Sequence, residues 1–261
     1  MNIINPKIDN GRAFNWGRTS DDYAKYRDVY PEEFYKKITD RNLCIKGQRV
    51  LDLGTGTGVL PRNMYKYGAD WIGIDISDDQ IDKARELSAG KNIEYYSVST
   101  EELDFKDSTF DVITACQCFF YFAHERIASN LYRMLKPGGH LLVLYMAWLP
   151  LEDKIAYESE KLVLKYNPHW SGAGATRRPI NIPACYSDYF ELTYREEFDL
   201  YIPFTKESWN GRIKACRCIG ASLSEDDINK WEKEHIDMLE CIAPNEFNVL
   251  HYAAMAELRK R

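Results

Sequence analysis

From Arg49 onward the sequence alternates short apolar runs of β-forming residues with amphipathic stretches at helical spacing. That alternation restricts the chain to an open, mainly parallel sheet with helices on both faces. Strands are expected at 49–53, 71–75, 93–97, 110–115 and 140–145, and helices at Val59 to Tyr67, Asp79 to Ser88 and Ala123 to Leu135. Lys136-Pro137-Gly138-Gly139 reads as the turn that stops the last of these helices. After Tyr145 the regularity breaks: Leu151 to Tyr166 reads as a helix and Ser171 to Pro183 as a Gly- and Pro-containing run, so residues 148–188 look like an insertion. Strand character returns at Phe190 to Phe204, an amphipathic region extends through Glu240, and Phe247 to Tyr252 reads as the final strand. The expected division is a cap over 1–40, a core over 41–147, the insertion over 148–188 and a C-terminal part over 189–261 that completes the sheet.

A chain of 261 residues can bury such a core without covalent staples. Its seven cysteines are scattered through apolar surroundings, which suits reduced thiols in a reducing compartment. Cys116-x-Cys118 and Cys216-x-Cys218 lack the spacing and histidine partners of zinc sites, so no metal is expected. A formal charge of −6 removes the electrostatic case for a nucleic-acid partner. No apolar run reaches membrane-span length and Met1 to Gly17 lacks the apolar stretch of a secretory signal, so the expectation is a cytoplasmic protein with a small-molecule partner and no membrane contact. The oligomeric state leaves no mark in the sequence.

The junction between the first strand and the first helix reads Asp52-Leu53-Gly54-Thr55-Gly56-Thr57-Gly58. Glycines there let a ligand approach backbone N–H groups, since no Cβ fills the space and unusual φ values are open. Alone, they would admit any nucleotide-like ligand. Asp52, at the strand end, can face an ammonium group and would repel a pyrophosphate. Asp75 ends the second strand about 20 residues on, the place from which an acid accepts ribose hydroxyls. Phe110-Asp111-Val112-Ile113, a helix, and Leu135-Lys136-Pro137-Gly138-Gly139-His140-Leu141 complete the series.

In this ordered set the sequence resembles the class I S-adenosylmethionine-dependent methyltransferases, and among them those with the methyltransferase type 11 domain, over about residues 45–147. The fold implied is α/β: a Rossmann-like, doubly wound, seven-stranded, mainly parallel sheet with an N-terminal helical cap and an insertion after the fifth strand. The resemblance implies that Gly54, Thr55, Gly56 and Gly58 receive the methionine part of S-adenosylmethionine, with Asp52 near its ammonium group. It implies that Asp75 holds the ribose and that Ile76 packs on adenine. Ser99-Thr100-Glu101 matches the loop at the adenine edge, where relatives commonly carry Asp in place of Ser99. Cys116 and Gln117 end the fourth strand, where the backbone carbonyl and side chain reach the methionine group. The leader from Trp16 to Arg27, with Tyr23 and Tyr26, and Tyr30-Pro31 beyond it, looks like the cofactor-covering segment. Tyr23, Tyr26 and Tyr30 fall at helical spacing, as either a packed helix or a lid requires.

Methyl transfer from a sulfonium needs alignment and exclusion of water more than acid–base help. Relatives often place a His-Trp pair after the fourth strand, whereas this chain has Phe119-Phe120-Tyr121-Phe122. The acceptor is then either already ionised, as a carboxylate or thiolate, or deprotonated by Tyr121 or His124. Arg177, Trp209 and Arg212 are candidates for holding an acidic substrate, against a reading of the arginines as ordinary surface charge. Three other functions compete: an S-adenosylmethionine-binding regulator without catalysis, an NAD-dependent oxidoreductase, and an RNA or protein methyltransferase.

Overall fold

A computed structural model describes residues 2–27 and 30–261; residues 1, 28 and 29 of the expected cap lie outside it. The chain divides into two units. The first comprises Met1–Val29, Ala147–Arg177 and Asp199–Tyr252, and the second Tyr30–Met146, Arg178–Phe198 and Ala253–Arg261.

Five strands, β1 (Arg49–Leu53), β2 (Asp70–Asp75), β3 (Ile93–Ser97), β4 (Phe110–Cys116) and β5 (Leu135–Trp148), are followed by β6 (Phe190–Thr205) and β7 (Glu246–Lys260). The second unit carries β1 to β4 whole and the larger part of β5, β6 and β7. They lie in the order β3-β2-β1-β4-β5-β7-β6. The pairs β1/β2, β2/β3, β1/β4 and β4/β5 are parallel. At the far edge the Arg261 N–H donates to the Tyr189 carbonyl and Thr193 Oγ1 to that of Glu257. Rising numbers on one strand meet falling numbers on the other, so β7 and β6 run antiparallel. The strand order reverses between β1 and β4, and a crevice opens at such a point beyond the strands' C-terminal ends.

Helices α1 (Ser20–Tyr26), α2 (Glu32–Thr39), α3 (Val59–Met64), α4 (Asp78–Leu87) and α5 (His124–Met134) precede β5 in the chain. On α5, Ile127, Leu131 and Met134 fall on one face and pack with Leu51, Ile113 and Leu141 of the sheet. Ile81 and Ala84 of α4 pack with Tyr95 of β3. Each large aliphatic side chain buried this way contributes about 1.5–3 kcal/mol.

Two sequence readings need correction. Lys136-Pro137-Gly138-Gly139 is no turn before a strand: it lies inside β5 as a bulge, with Phe110 opposite Leu135 and Val112 already opposite His140. Gly138 takes φ +73°, which absorbs the extra residues, and the Lys136 ammonium ties the bulge to Asp111 at 2.7 Å. The tyrosine face is also shorter than its spacing suggested, because α1 ends at Tyr26 and Tyr30 precedes the Pro31 cap of α2.

The first unit contains α1, α6 (Lys154–Tyr166), α7 (Lys206–Lys214) and α8 (Glu225–Ile242), in which α7 packs on both α1 and α8. Asp153 caps α6 by accepting from the Ala156 N–H, and Thr205 and Ser208 cap α7 reciprocally. Tyr26 lies so close to Gly211 that a Cβ there would sit 2.3 Å from its ring. The unit's interior is partly polar: Trp209 Nε1 and His235 Nε2 meet on Ser159 Oγ, and His235 Nδ1 reaches Asn210. Burial pushes the His235 pKa down to about 3, so the ring is neutral there. Among the described residues no helix is long and apolar enough to cross a membrane, and no group of three His, Cys, Asp or Glu side chains is placed to hold a metal.

Candidate functional site

The site lies in the second unit, at the C-terminal ends of β1, β2 and β4. Gly54, Gly56 and Gly58 all take positive φ, at +57°, +56° and +74°. Such values favour glycine, so the chain can turn sharply from β1 into α3, a turn pinned by the Thr55 N–H on the Ile74 carbonyl and the Gly58 N–H on that of Thr55. The fit is close. A Cβ on Gly54 would lie 2.8 Å from Cβ of Cys118, whose thiol contacts the Leu53 carbonyl at 3.0 Å.

Asp52 is 2 % exposed and stands in register between Gly73 of β2 and Thr114 of β4. Its carboxylate accepts from Thr55 Oγ1 at 2.7 Å and from Thr114 Oγ1 at 2.6 Å. Burial pushes its pKa up to about 7; the two hydroxyls pull it down, and the nearby Asp75 charge pushes it further up. Asp75 accepts from the Gly56 N–H at 2.9 Å and the Ser77 N–H at 3.0 Å, and burial raises its pKa too. Among the described residues no Lys, Arg or His side chain acts on either acid. Two acids in a desolvated crevice without a basic partner attract a cation and repel a phosphate.

Beside Asp75, Ile76 is 40 % exposed at the strand end, an apolar platform open to a planar ring. Ser99, Thr100 and Glu101 follow β3 in a short turn: Ser99 Oγ donates to Glu102, Thr100 is buried, and Glu101 accepts from the Ala123 N–H before α5. Cys116 Sγ lies 3.6 Å from Tyr30 Oη. Gln117 departs from expectation. Its backbone sits at φ +68°, and its side-chain amide donates to the Met146 carbonyl at 2.6 Å. The side chain is thereby tied toward β5, leaving the backbone of residues 116–117 to line the crevice.

The base candidates stand just beyond. The Tyr121 ring packs on Phe120, 4.4 Å between centroids, and Phe120 itself is 50 % exposed. His124 opens α5 with Nδ1 at 3.1 Å from Tyr186 Oη and its ring 4.5 Å from that of Phe119. The remaining sequence-derived candidates belong to the first unit. Tyr23 packs edge-on to Trp16 and under the Arg27 guanidinium, and Tyr26 donates to Glu207. Trp209 is fully buried and Arg212 is 4 % exposed, stacked on Trp148. Arg177 is not the open anion receptor expected of it: Asp199 takes its Nε and Nη2 donors at 2.7 Å each, and Glu152 takes Nη1.

Thr114 and Gly73, the two neighbours of Asp52 in the sheet, escaped the sequence reading. A lone hydroxyl inside the apolar run Val112-Ile113-Thr114-Ala115 was the available signal. Replacing Thr114 with Val removes a donor to the ionised acid, so the Asp52 pKa will rise above about 7. Carboxylate infrared titration of the wild type and Thr114→Val checks this; an unchanged midpoint would show that the hydroxyl does not act on the acid.

Fold and crevice together define a doubly wound α/β protein with two acids at the C-terminal ends of its central strands. A family profile described as a methyltransferase domain matches residues 51–143. A methyltransferase-like protein of Schizosaccharomyces pombe is 29 % identical over 137 residues, 52 % of each chain. A ubiquinone/menaquinone biosynthesis C-methyltransferase of Vibrio campbellii is 40 % identical over 106 residues, 38 % of this chain and 41 % of its own. Among solved structures, a phosphoethanolamine N-methyltransferase of Haemonchus contortus, bound to phosphomonomethylethanolamine and S-adenosylhomocysteine, superposes with a TM-score of 0.54 at 19 % identity, over 93 % of this chain and 57 % of that one. The chain spans about half the length of the curated relatives it matches. Over residues 51–143 the chain is therefore similar to S-adenosylmethionine-dependent methyltransferases.

Proposed function

We propose that this protein transfers the methyl group of S-adenosylmethionine to a small-molecule nucleophile in the crevice above β1, β2 and β4. The observation that carries the reading is the pair of acids, buried Asp52 and half-buried Asp75, on which no basic side chain among the described residues acts. An NAD-type pyrophosphate would meet two carboxylates there, whereas an amino-acid ammonium group would meet a partner for its charge.

Asp52 takes the ammonium group, its carboxylate held in place by Thr55 and Thr114. Asp75 keeps lone pairs for the ribose hydroxyls while anchored by the Gly56 and Ser77 N–H groups. Ile76 supports the adenine, and the missing Cβ atoms of Gly54 and Gly56 leave room for the methionine part beside the turn. The bound sulfonium supplies an activated methyl group whose leaving group is a neutral thioether. What the chain adds is alignment in a water-poor crevice, worth up to about 7–11 kcal/mol when reacting atoms are held at near-attack distance. The aromatic run Phe119 to Phe122 suits an apolar acceptor body, and the quinone-pathway likeness supports a small acceptor.

With His124 engaged by Tyr186, the favoured acceptor is one that arrives ionised. The expected result is S-adenosylhomocysteine release with a panel of carboxylate, thiol and phenol acceptors. For a carboxylate, kcat should be flat from about pH 6 to 9 and little changed in Tyr121→Phe or His124→Ala. Calorimetry decides the ligand class: tight NADH binding with none for S-adenosylhomocysteine would overturn the reading. Cofactor binding without turnover of any acceptor would leave a regulator.

A further inference from the structure

A cluster in the first unit takes no part in this chemistry. Just past the end of α7, the Cys216 sulfur receives Arg212 Nη1 at 2.9 Å and Arg27 Nη1 at 3.0 Å, while the Cys218 thiol, two residues on, lies 3.7 Å from the Ile213 carbonyl. Both guanidiniums are held by aromatic faces, Arg212 over Trp148 at 5.2 Å and Arg27 over Tyr23 at 4.6 Å. We propose that Cys216 and Cys218 form a peroxide-sensitive thiol pair, with Cys216 the attacking sulfur and Cys218 the resolving one.

The geometry selects the thiolate at Cys216. Two charged donors within 3.0 Å are closer than a neutral sulfur acceptor would draw them, and their charge favours the anion there. Against them stands one carbonyl, that of Arg212 at 3.2 Å, to which only a protonated thiol could donate. Two charged donors outweigh one acceptor. The hydrogen bond from Cys218 and the two guanidiniums draw the Cys216 pKa well down despite its burial, while burial and the Cys216 charge hold Cys218 protonated. Cys216 is 6 % exposed, enough for a peroxide and tight for a bulky electrophile.

In the first step the Cys216 thiolate attacks one peroxide oxygen. An S–O bond forms, the O–O bond breaks, the departing oxyanion takes a proton, and sulfur is oxidised by two electrons to the sulfenic acid. In the second step Cys218 attacks that sulfur, the S–O bond breaks, and hydroxide leaves with the Cys218 proton as water. The resulting disulfide is uncharged, so the negative charge shared by Arg27 and Arg212 disappears from the packing of α1 on α7.

The test treats the full chain with hydrogen peroxide and maps its tryptic peptides. Cleavage after Arg217 separates the two cysteines, so a disulfide appears as two joined peptides. The wild type should give the joined pair. Cys218→Ser should stop at a Cys216 sulfenic acid trapped by dimedone, and Cys216→Ser should leave Cys218 reduced. The Cys216 rate should stay level from about pH 6 to 8, whereas that of free cysteine rises about tenfold per pH unit below its pKa of about 8.5. Oxidation of exposed Cys241 with Cys216 left reduced, or a Cys216 rate that climbs like that of free cysteine, overturns the proposal. Because Cys218→Ser leaves both guanidinium contacts in place, it decides the question even if Cys216→Ser fails to fold.

Discussion

Asp52→Asn should weaken S-adenosylhomocysteine binding by about 100- to 1,000-fold while making the ligand-free protein more stable at pH 8. The two effects share one cause. Asp52 is a buried acid whose pKa stands at about 7, far above its ordinary 3.8. The folded state therefore holds its proton more tightly than the unfolded chain does. The fold bears no ionisation cost below about pH 4, loses stability as pH rises toward 7, and above that carries a full penalty on the order of a few kcal/mol. Asparagine removes that penalty, so the stability gain of the variant should be absent at pH 4 and greatest at pH 8. Binding follows the opposite logic. A bound ammonium needs the ionised acid, so binding expels a proton below pH 7 and affinity should rise through that pH, falling again above about 8 as the ligand amine deprotonates. Asparagine offers no charge, and losing one partner of a desolvated ion pair costs about 2–5 kcal/mol. Isothermal calorimetry across pH, with chemical denaturation alongside, reads both quantities. Asp52→Asn binding within threefold of wild type at pH 8 would remove Asp52 from the ammonium site.

The second large effect is expected at Gly58. Replacing it with Ala should cost about 2–5 kcal/mol of stability. Part is the φ of +74°, which for an L side chain costs about 1–2 kcal/mol. The remainder is overpacking of about 1–3 kcal/mol. The new methyl carbon would lie 2.3 Å from Tyr95 Oη and 2.9 Å from Cζ. The ring cannot retreat, since Tyr95 is buried and its hydroxyl is bonded to Ser88 Oγ at 2.9 Å. For a chain of this length that loss is about 5–15 °C in Tm. Tyr95→Phe alone should cost about 1 kcal/mol through the Ser88 hydrogen bond. In the Gly58→Ala background it should cost less or even help, because it removes the worst contact. Strict additivity of the two changes would show that Tyr95 is not what Gly58 makes room for.

How much of this was legible beforehand depends on how local each signal is. β1 and β3 begin and end where their β-forming runs do: β1 is a buried parallel strand written directly as Val, Leu and Leu, and β3 an edge strand in which Ile, Tyr and Tyr carry the signal and only Tyr95 is buried. β5 begins five residues early because a bulge and a turn share the same residues, Pro and Gly, and only the pairing of Phe110 with Leu135 distinguishes them. Asp52 and Asp75 stood out as acids at strand ends. Thr114 did not, since a threonine within a strand reads as a β-former. The acids that occupy Arg177 lie 22 and 25 residues away and meet it only once the chain has folded. Side chains that answer to local pattern were readable; those whose partners arrive from elsewhere in the fold were not.

The register between β1 and β4 has a further effect, on folding. Slipping β4 by one residue would put Ile113 or Ala115 opposite Asp52 in place of Thr114. The strand's apolar faces would invert, and the acid would lose its 2.6 Å hydroxyl donor in a place water does not reach. A chain paired wrongly at its centre could neither shelter that carboxylate nor offer it in working geometry. The residue assigned to the ligand's charge therefore also proofreads the assembly of the sheet, and the number of ligand sites per chain in a refolded sample measures the fraction of molecules in correct alignment.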